Sequence, residues 1–158
     1  MNIIRVTTPQ KIETVRMLFR EYEAYLKVDL CFQQFESELA TLPGKYAPPW
    51  GTLLLAMDGK KACGCGALRR FGAVQDCICE MKRLYVRPEA RGLGIGKQIA
   101  QRLIQEGLRL GYATMVLDTL DWLNTALHLY ESLGFVRTEP YYDNPLPDVV
   151  YWKLELGG

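Results

Sequence analysis

The stretch from Glu80 to Ile104, EMKRLYVRPEARGLGIGKQIAQRLI, constrains the fold more than any other part of the chain. An apolar run, Leu84-Tyr85-Val86, passes through Arg87-Pro88-Glu89-Ala90 into Arg91-Gly92-Leu93-Gly94-Ile95-Gly96. Ile95, Ile99, Leu103 and Ile104 then recur on one helical face. The order is strand, glycine loop, helix. Alternating glycines remove the Cβ atoms that would hold a ligand off the backbone, and they permit the positive φ of a sharp turn. N–H groups that open a helix lie at the positive end of its dipole and suit an anion such as a pyrophosphate. Arg91 and Lys97 add full positive charge beside them.

Spacing separates the phosphate loops this could be. A P-loop requires G-x-x-x-x-G-K-[ST], but Arg91 stands at the first glycine and Gln98 at the magnesium-binding hydroxyl. The dinucleotide fingerprint G-x-G-x-x-G requires glycine at position 97 or 99, which hold Lys97 and Ile99. An Arg-x-x-Gly-x-Gly pattern behind a strand remains, and the bland alternative is a flexible turn that binds nothing.

The rest of the chain frames this unit. Asn2 to Thr7 reads as a first strand, and Thr8-Pro9 as an N-cap with proline at the first helical position. Ile12, Val15, Leu18, Phe19, Tyr22, Tyr25 and Leu26 follow at helical spacing up to Lys27. A shorter helix is expected from Gln34 to Thr41, ended by Leu42-Pro43-Gly44. Strands are expected over Thr52 to Met57, Lys61 to Phe71 and Val74 to Val86, with a hairpin at Asp58-Gly59 and a turn near Gly72. After the glycine-loop helix, stopped at Gly111, a strand runs from Tyr112 to Asp118. A helix capped by Asp121 follows, from Trp122 to Leu133, and Gly134 stops it. Phe135 to Thr138 and Val149 to Leu156 form the last two strands. This is a mixed α/β order without internal repeats.

With 158 residues, about half of them apolar, the chain is long enough for one ordinary domain, 1–158. Net charge is +1, with both signs interspersed, so neither a nucleic acid nor a membrane surface is indicated as a partner. The cluster Lys82, Arg83, Arg87, Arg91 and Lys97 is local to the glycine loop, and for Lys82 and Arg83 a solvated rim is the expected role. No apolar run of about 18 residues and no signal-peptide pattern occurs, which predicts a cytoplasmic protein whose five cysteines stay reduced. Cys63/Cys65 and Cys77/Cys79 stand two apart, expected to put each pair on one strand face. C-x-C pairs lack the usual zinc spacing and cysteine packs well as a small apolar residue, so no metal is expected.

Two further motifs bear on function. Ala126-Leu-His-Leu-Tyr130-Glu-Ser-Leu-Gly134-Phe135 has the form A-x-x-L-Y-x-x-x-G-F, and Glu80 precedes Arg91 by eleven residues. Together with Arg-x-x-Gly-x-Gly, they resemble the GNAT superfamily of N-acetyltransferases over nearly the full length. One departure is Leu123, where many members carry asparagine seven residues before the tyrosine; Asn124 stands one place later and is assigned no cofactor contact.

The resemblance implies a mixed, mostly antiparallel central sheet flanked by helices and acetyl-CoA as co-substrate. It implies that Arg91, Gly92, Leu93, Gly94, Ile95, Gly96 and Lys97 hold the pyrophosphate, while the backbone of Leu84, Tyr85 and Val86 pairs with the pantetheine arm. An N–H near Val86 would polarise the thioester carbonyl. An alkyl ammonium, with a pKa of about 10.4, must lose a proton before it attacks. Glu80 is the candidate base, against an ion pair with Lys82 or Arg83 as its bland role. Tyr130 is the candidate acid for the leaving thiolate, against a packing role beside Leu127 and Leu133.

His128, two residues from Tyr130, falls on another helix face and is expected to point to solvent. The acceptor, a small-molecule or protein amine, would meet an aromatic and acidic pocket from Tyr22, Tyr25, Asp29 and Tyr141-Tyr142-Asp143-Asn144. A homodimer is compatible with the resemblance. Transfer of a longer acyl group, a hydroxyl acceptor, and a non-catalytic acyl-CoA sensor are the alternatives.

Overall fold

In the computed structural model, residues 1–30 and 33–157 are described. Cys31, the fifth cysteine, lies outside them. The elements are β1 (Asn2–Arg5), α1 (Pro9–Leu26), α2 (Phe35–Ala40), β2 (Thr52–Asp58), β3 (Lys61–Phe71), β4 (Ile78–Val86), α3 (Ile95–Arg109), β5 (Thr114–Leu120), α4 (Asn124–Ser132), β6 (Val136–Thr138) and β7 (Val149–Glu155). The strands form one sheet in the order β1-β2-β3-β4-β5-β7-β6. Every neighbouring pair is antiparallel except β4–β5.

Local chemistry explains most element ends. Thr8 caps α1 by accepting from the Lys11 N–H at 3.3 Å, with Pro9 at the first helical position. Lys27 closes the helix in the left-handed region, and its N–H returns to the Ala24 carbonyl. The third central strand starts at Ile78, not Val74. Val74–Asp76 is a 3-10 turn in which Asp76 Oδ2 accepts from the Ala73 N–H, and Cys77 at φ 56 interrupts extended backbone. The last helix starts later than expected as well. Asp121 is not its cap: the cap position is Leu123, and the Asp121 N–H is bound to the Asp148 carbonyl ahead of β7.

The sheet is covered on both faces. Alternation along β2 sends Leu54 and Ala56 to one side, where Ile99, Leu103, Met115, Tyr130 and Trp152 complete a core under α3 and α4. Leu53 and Leu55 go to the other, against Val15, Leu18 and Phe19 of α1 and Phe35 and Leu39 of α2. A Cβ on Gly66 would stand 2.7 Å from Ile99 Cγ2, so its bare backbone lets α3 lie close to β3.

Two bulges redirect side chains. The β2–β3 register passes from Ala56↔Gly64 to Met57↔Ala62, leaving Cys63 extra. Cys63 therefore joins the α3-side core and Cys65 the α1-side core, so the expectation that this pair shares a face is overturned. Cys77 precedes β4 and does not share its face with Cys79 either. The β3–β4 register passes from Cys65↔Tyr85 to Ala67↔Lys82, which sets Gly66 against both Arg83 and Leu84. Arg83 takes a left-handed φ of 61 there, and β4 bends.

Candidate active site

That bend coincides with the separation of β4 from β5. Their parallel pairing comprises Ile78↔Thr114, Cys79↔Met115 and Glu80↔Val116. Beyond it β4 stays on β3 as far as Val86↔Gly64, and β5 stays on β7 as far as Leu120↔Val149. The two strands keep their outer partners and lose each other. A cleft opens in the middle of the sheet, with an unpaired backbone edge of β4 running from Met81 to Val86 along it.

This edge leads directly into the glycine loop. Gly92 and Gly94 have φ of 82 and 78, and added Cβ atoms there would meet nothing within 4 Å. Gly94 occupies the cap position of α3 and no side chain caps the helix. The first intrahelical bond beyond it is Gln98 N–H to Gly94 O, so the N–H groups of Ile95, Gly96 and Lys97 have no carbonyl one turn back. Three free N–H groups, a helix dipole and an open approach suit a pyrophosphate. Leu93 is 68 % exposed, and Lys97 is exposed on the first turn.

Arg91 is exposed, its Nε donating to the Val86 carbonyl at 2.9 Å and its guanidinium over the Tyr25 ring at 4.4 Å. It thus ties the end of β4 to the C-terminal part of α1. Tyr85 is buried against Tyr22 and Tyr25, while Leu84 and Val86 pack on the α3 side.

Glu80, the last residue before the strands part, is 1 % exposed. Arg69 Nε and Nη2 both lie 2.9 Å from its Oε1, and the Tyr141 hydroxyl donates to Oε2 at 2.6 Å. Its ion-pair partner is therefore Arg69 of β3, not Lys82 or Arg83. Burial, with the Glu80 charge next, pushes the Tyr141 phenol well above its ordinary range, so Tyr141 is a donor.

Lys82 and Arg83 do not form a solvated rim. The bulge directs both toward α2. Arg83 is buried, holds Glu38 by Nε at 3.1 Å and Nη2 at 2.9 Å, and lies over Phe35. Lys82 is half-buried and its Nζ donates to Gln33 Oε1 at 3.1 Å.

Tyr130 is 6 % exposed and packs its ring against Phe135 and Trp152. Its hydroxyl makes no hydrogen bond among the described residues. Burial raises its pKa well above the usual phenol range, and charge on Tyr22 and Asp118 acts in the same direction, so it keeps its proton. His128, as expected, is exposed.

The anticipated acceptor residues assemble only in part. Tyr22 and Asn144 line a small cavity of about 40 Å³ with Arg83 and Asp118. Tyr141 and Tyr142 each meet Tyr151 edge to face, and none of the three lines that cavity. Tyr25 is instead engaged with Arg91 and Tyr85, and Asp29 and Asp143 are exposed. Sequence reasoning missed Asp118, which accepts from the Tyr142 hydroxyl and from Asn144 Nδ2 at 2.8 Å. The signal was present: one carboxylate inside the apolar run of β5. Arg69 and Gln33 carried no comparable signal.

Burial lifts Cys65 above the ordinary thiol range and Cys79 to about 12, which makes both inert packing groups. No cluster of three or more potential metal ligands occurs among the described residues, and none of their helices is long and apolar enough to cross a membrane.

Comparison with known proteins agrees with this geometry. Residues 49–137 match the family model of the acetyltransferase (GNAT) domain. An uncharacterized N-acetyltransferase of Schizosaccharomyces pombe is 49 % identical over 157 residues, covering 99 % of this chain and 95 % of the relative. A GNAT-family acetyltransferase of Staphylococcus aureus superposes with a TM-score of 0.79 at 20 % identity, covering 99 % of each chain. A Salmonella typhimurium protein solved with its cofactor acetyl-CoA superposes with a TM-score of 0.73 at 20 % identity, over 100 % of this chain and 96 % of the other. The free helix N-terminus, the parted strands and these matches lead to one conclusion: the chain belongs to the GNAT superfamily of N-acetyltransferases.

Proposed function

We propose that the protein transfers an acetyl group from acetyl-CoA to a primary amine by direct attack within a ternary complex. The observation that carries this reading is the continuity between the unpaired edge of β4 and the uncapped N-terminus of α3. One surface offers a strand-like edge and the next an anion cradle, which is the shape a pantetheine pyrophosphate requires. The thioester of acetyl-CoA supplies the acyl donor.

The chain's residues divide the remaining work. The N–H groups of Ile95, Gly96 and Lys97, reached over Gly92, Leu93 and Gly94, bind the pyrophosphate. Arg91 lies beside them and exchanges its bond to the Val86 carbonyl for phosphate contact. Leu84, Tyr85 and Val86 offer their backbone edge to the pantetheine amides, and the Val86 N–H polarises the thioester carbonyl. Glu80 takes the proton of the amine, directly or by way of water, on Oε2, which accepts one protein hydrogen bond and keeps a second lone pair. Tyr130, whose hydroxyl no described protein group occupies, donates to the departing sulfur. Proximity in the cleft replaces a covalent enzyme intermediate.

A thiol-release assay with acetyl-CoA and a panel of amines tests this. Turnover with at least one amine is expected. A protein that binds CoA but releases thiol with no acceptor would be a sensor instead, and faster turnover of a longer acyl-CoA or of alcohols would reassign donor or acceptor.

A further inference from the structure

A cavity of about 350 Å³ opens between the α2 segment, the far ends of β3 and β4, and Tyr142. Its lining includes Arg69, Lys82, Gln33, Glu38 and Tyr142. Gln33 also lines the smaller cavity that holds Asp118, so the two spaces adjoin at that side chain.

Most charges here are already compensated. Arg69 is paired with Glu80, and Arg83 with Glu38. Two are not. Lys82 has no carboxylate within 4 Å among the described residues; its ammonium donates to the Gln33 side-chain carbonyl at 3.1 Å. Asp118 has no cation within 4 Å among them; it accepts from Tyr142 and Asn144.

A relay joins the two. Gln33 Nε2 donates to the Tyr142 oxygen at 3.0 Å, and the Tyr142 hydroxyl donates to Asp118. One half-buried cation and one half-buried anion, neither in a contact ion pair, thus stand at opposite ends of Gln33 and Tyr142. Half-buried charges of this kind cost desolvation unless a ligand completes them.

We infer that the acceptor is an amine that also carries a carboxylate, an amino acid or a close analogue, with its carboxylate on Lys82 and its amine at Asp118 beside the parted strands. This rests on the transfer reading above and names its substrate class. Alignment of both ends would direct the nitrogen to the cleft. A polyamine would leave Lys82 unpaired and meet its repulsion.

The test pairs amino acids with the amines left when their carboxylate is removed, in the thiol-release assay with wild type, Lys82→Met and Lys82→Arg. CoA affinity is measured by calorimetry to certify each variant as folded and loaded. In wild type, kcat/KM is expected to favour the carboxylate-bearing member of at least one pair by tenfold or more. Lys82→Met should shrink that ratio at least tenfold, through KM, and Lys82→Arg should restore much of it. Equal or faster turnover of the decarboxylated amines or of diamines by wild type would overturn the inference and leave acetyl transfer standing. An unchanged ratio in Lys82→Met would overturn the assignment of Lys82. If no amine releases thiol, the transfer reading falls and the inference with it. Should Lys82→Met fail to fold, the wild-type ratio alone decides the substrate class.

Discussion

Tyr141 donates its hydroxyl to Glu80 Oε2 at 2.6 Å, from a loop 61 residues further along the chain. With Arg69 on the other oxygen, the carboxylate is fixed in place at the point where β4 leaves β5. These donors take three of its four lone-pair positions, and the one left on Oε2 is where the proposed base would receive a proton.

Glu80→Gln should therefore lower kcat by roughly 10²–10⁴-fold, the usual range for lost acid–base catalysis. Raising the pH should return part of the rate, because more of the amine arrives neutral. Profiles of kcat and kcat/KM against pH check this. Full activity at neutral pH would mean that water alone accepts the proton. The variant also leaves Arg69 without its counter-charge, so thermal unfolding must be measured beside the kinetics.

Tyr130→Phe should separate from Glu80→Gln by pH. Its ring contacts with Phe135 and Trp152 survive the change, so stability and CoA affinity should hold while kcat falls. Hydroxide cannot replace a missing proton donor, so high pH should not rescue it. Rescue would show that the tyrosine has another role.

Gly94→Val tests the anion cradle. At φ 78 a β-branched residue is strained by about 1–3 kcal/mol, yet its Cβ meets no neighbour, so the chain should still fold. CoA affinity, measured by calorimetry, should fall by well over tenfold. Undiminished affinity in a folded variant would remove the loop from the binding site.

How much of this was legible in the chain depends on whether the signal was local. Thr8-Pro9, Asp58-Gly59 and the strand–loop–helix at Glu80–Ile104 act within a few residues, and the structure places elements there. The start of β4 was not legible, because apolar Val74 and Ile78 hide a turn made by Asp76 and a left-handed Cys77. The faces of Cys63 and Cys65 were lost to a bulge that only the partner strand reveals. In the site, the glycine loop is a run of neighbours and could be read. Lys82, Gln33, Asp118 and Tyr142 come together only because two strands part and a loop folds over the gap, which no spacing encodes.

Glu106 makes a stability prediction away from the cleft. It is buried on α3 and reached by Arg5 Nε at 2.6 Å and Arg109 Nε at 2.7 Å. Burial alone would raise its pKa, but the hydrogen bonds and charge from Arg5 and Arg109 outweigh it and hold the pKa below the ordinary value. A depressed carboxylate stabilises the fold above its unfolded pKa, about 4.3, and that contribution fades as pH falls through the folded value. Glu106→Gln should be destabilised at pH 7, with the difference from wild type shrinking in acid. Denaturant titrations of both proteins from pH 7 to pH 3 check it.

Lys82 should show the same sense on the alkaline side, there because its buried charge is lost. Burial is the main cause that lowers its pKa from 10.5 to about 8, Arg83 and Arg69 add repulsion, and Glu80 and Asp118 partly oppose it. Between about 8 and 10.5 the unfolded chain keeps a proton that the folded chain has lost, so this group makes stability rise with pH across that window. Lys82→Met should remove the rise and should be more stable than wild type at pH 7, where the buried charge is still carried. A carboxylate seated on Lys82 favours the ammonium, so its affinity should decline as pH climbs through 8, with proton uptake on binding near that pH. Calorimetry of an amino acid into the CoA-loaded protein, in two buffers of different ionisation heat, measures both. Affinity that is flat from pH 7 to 9.5 would mean that the carboxylate is held elsewhere.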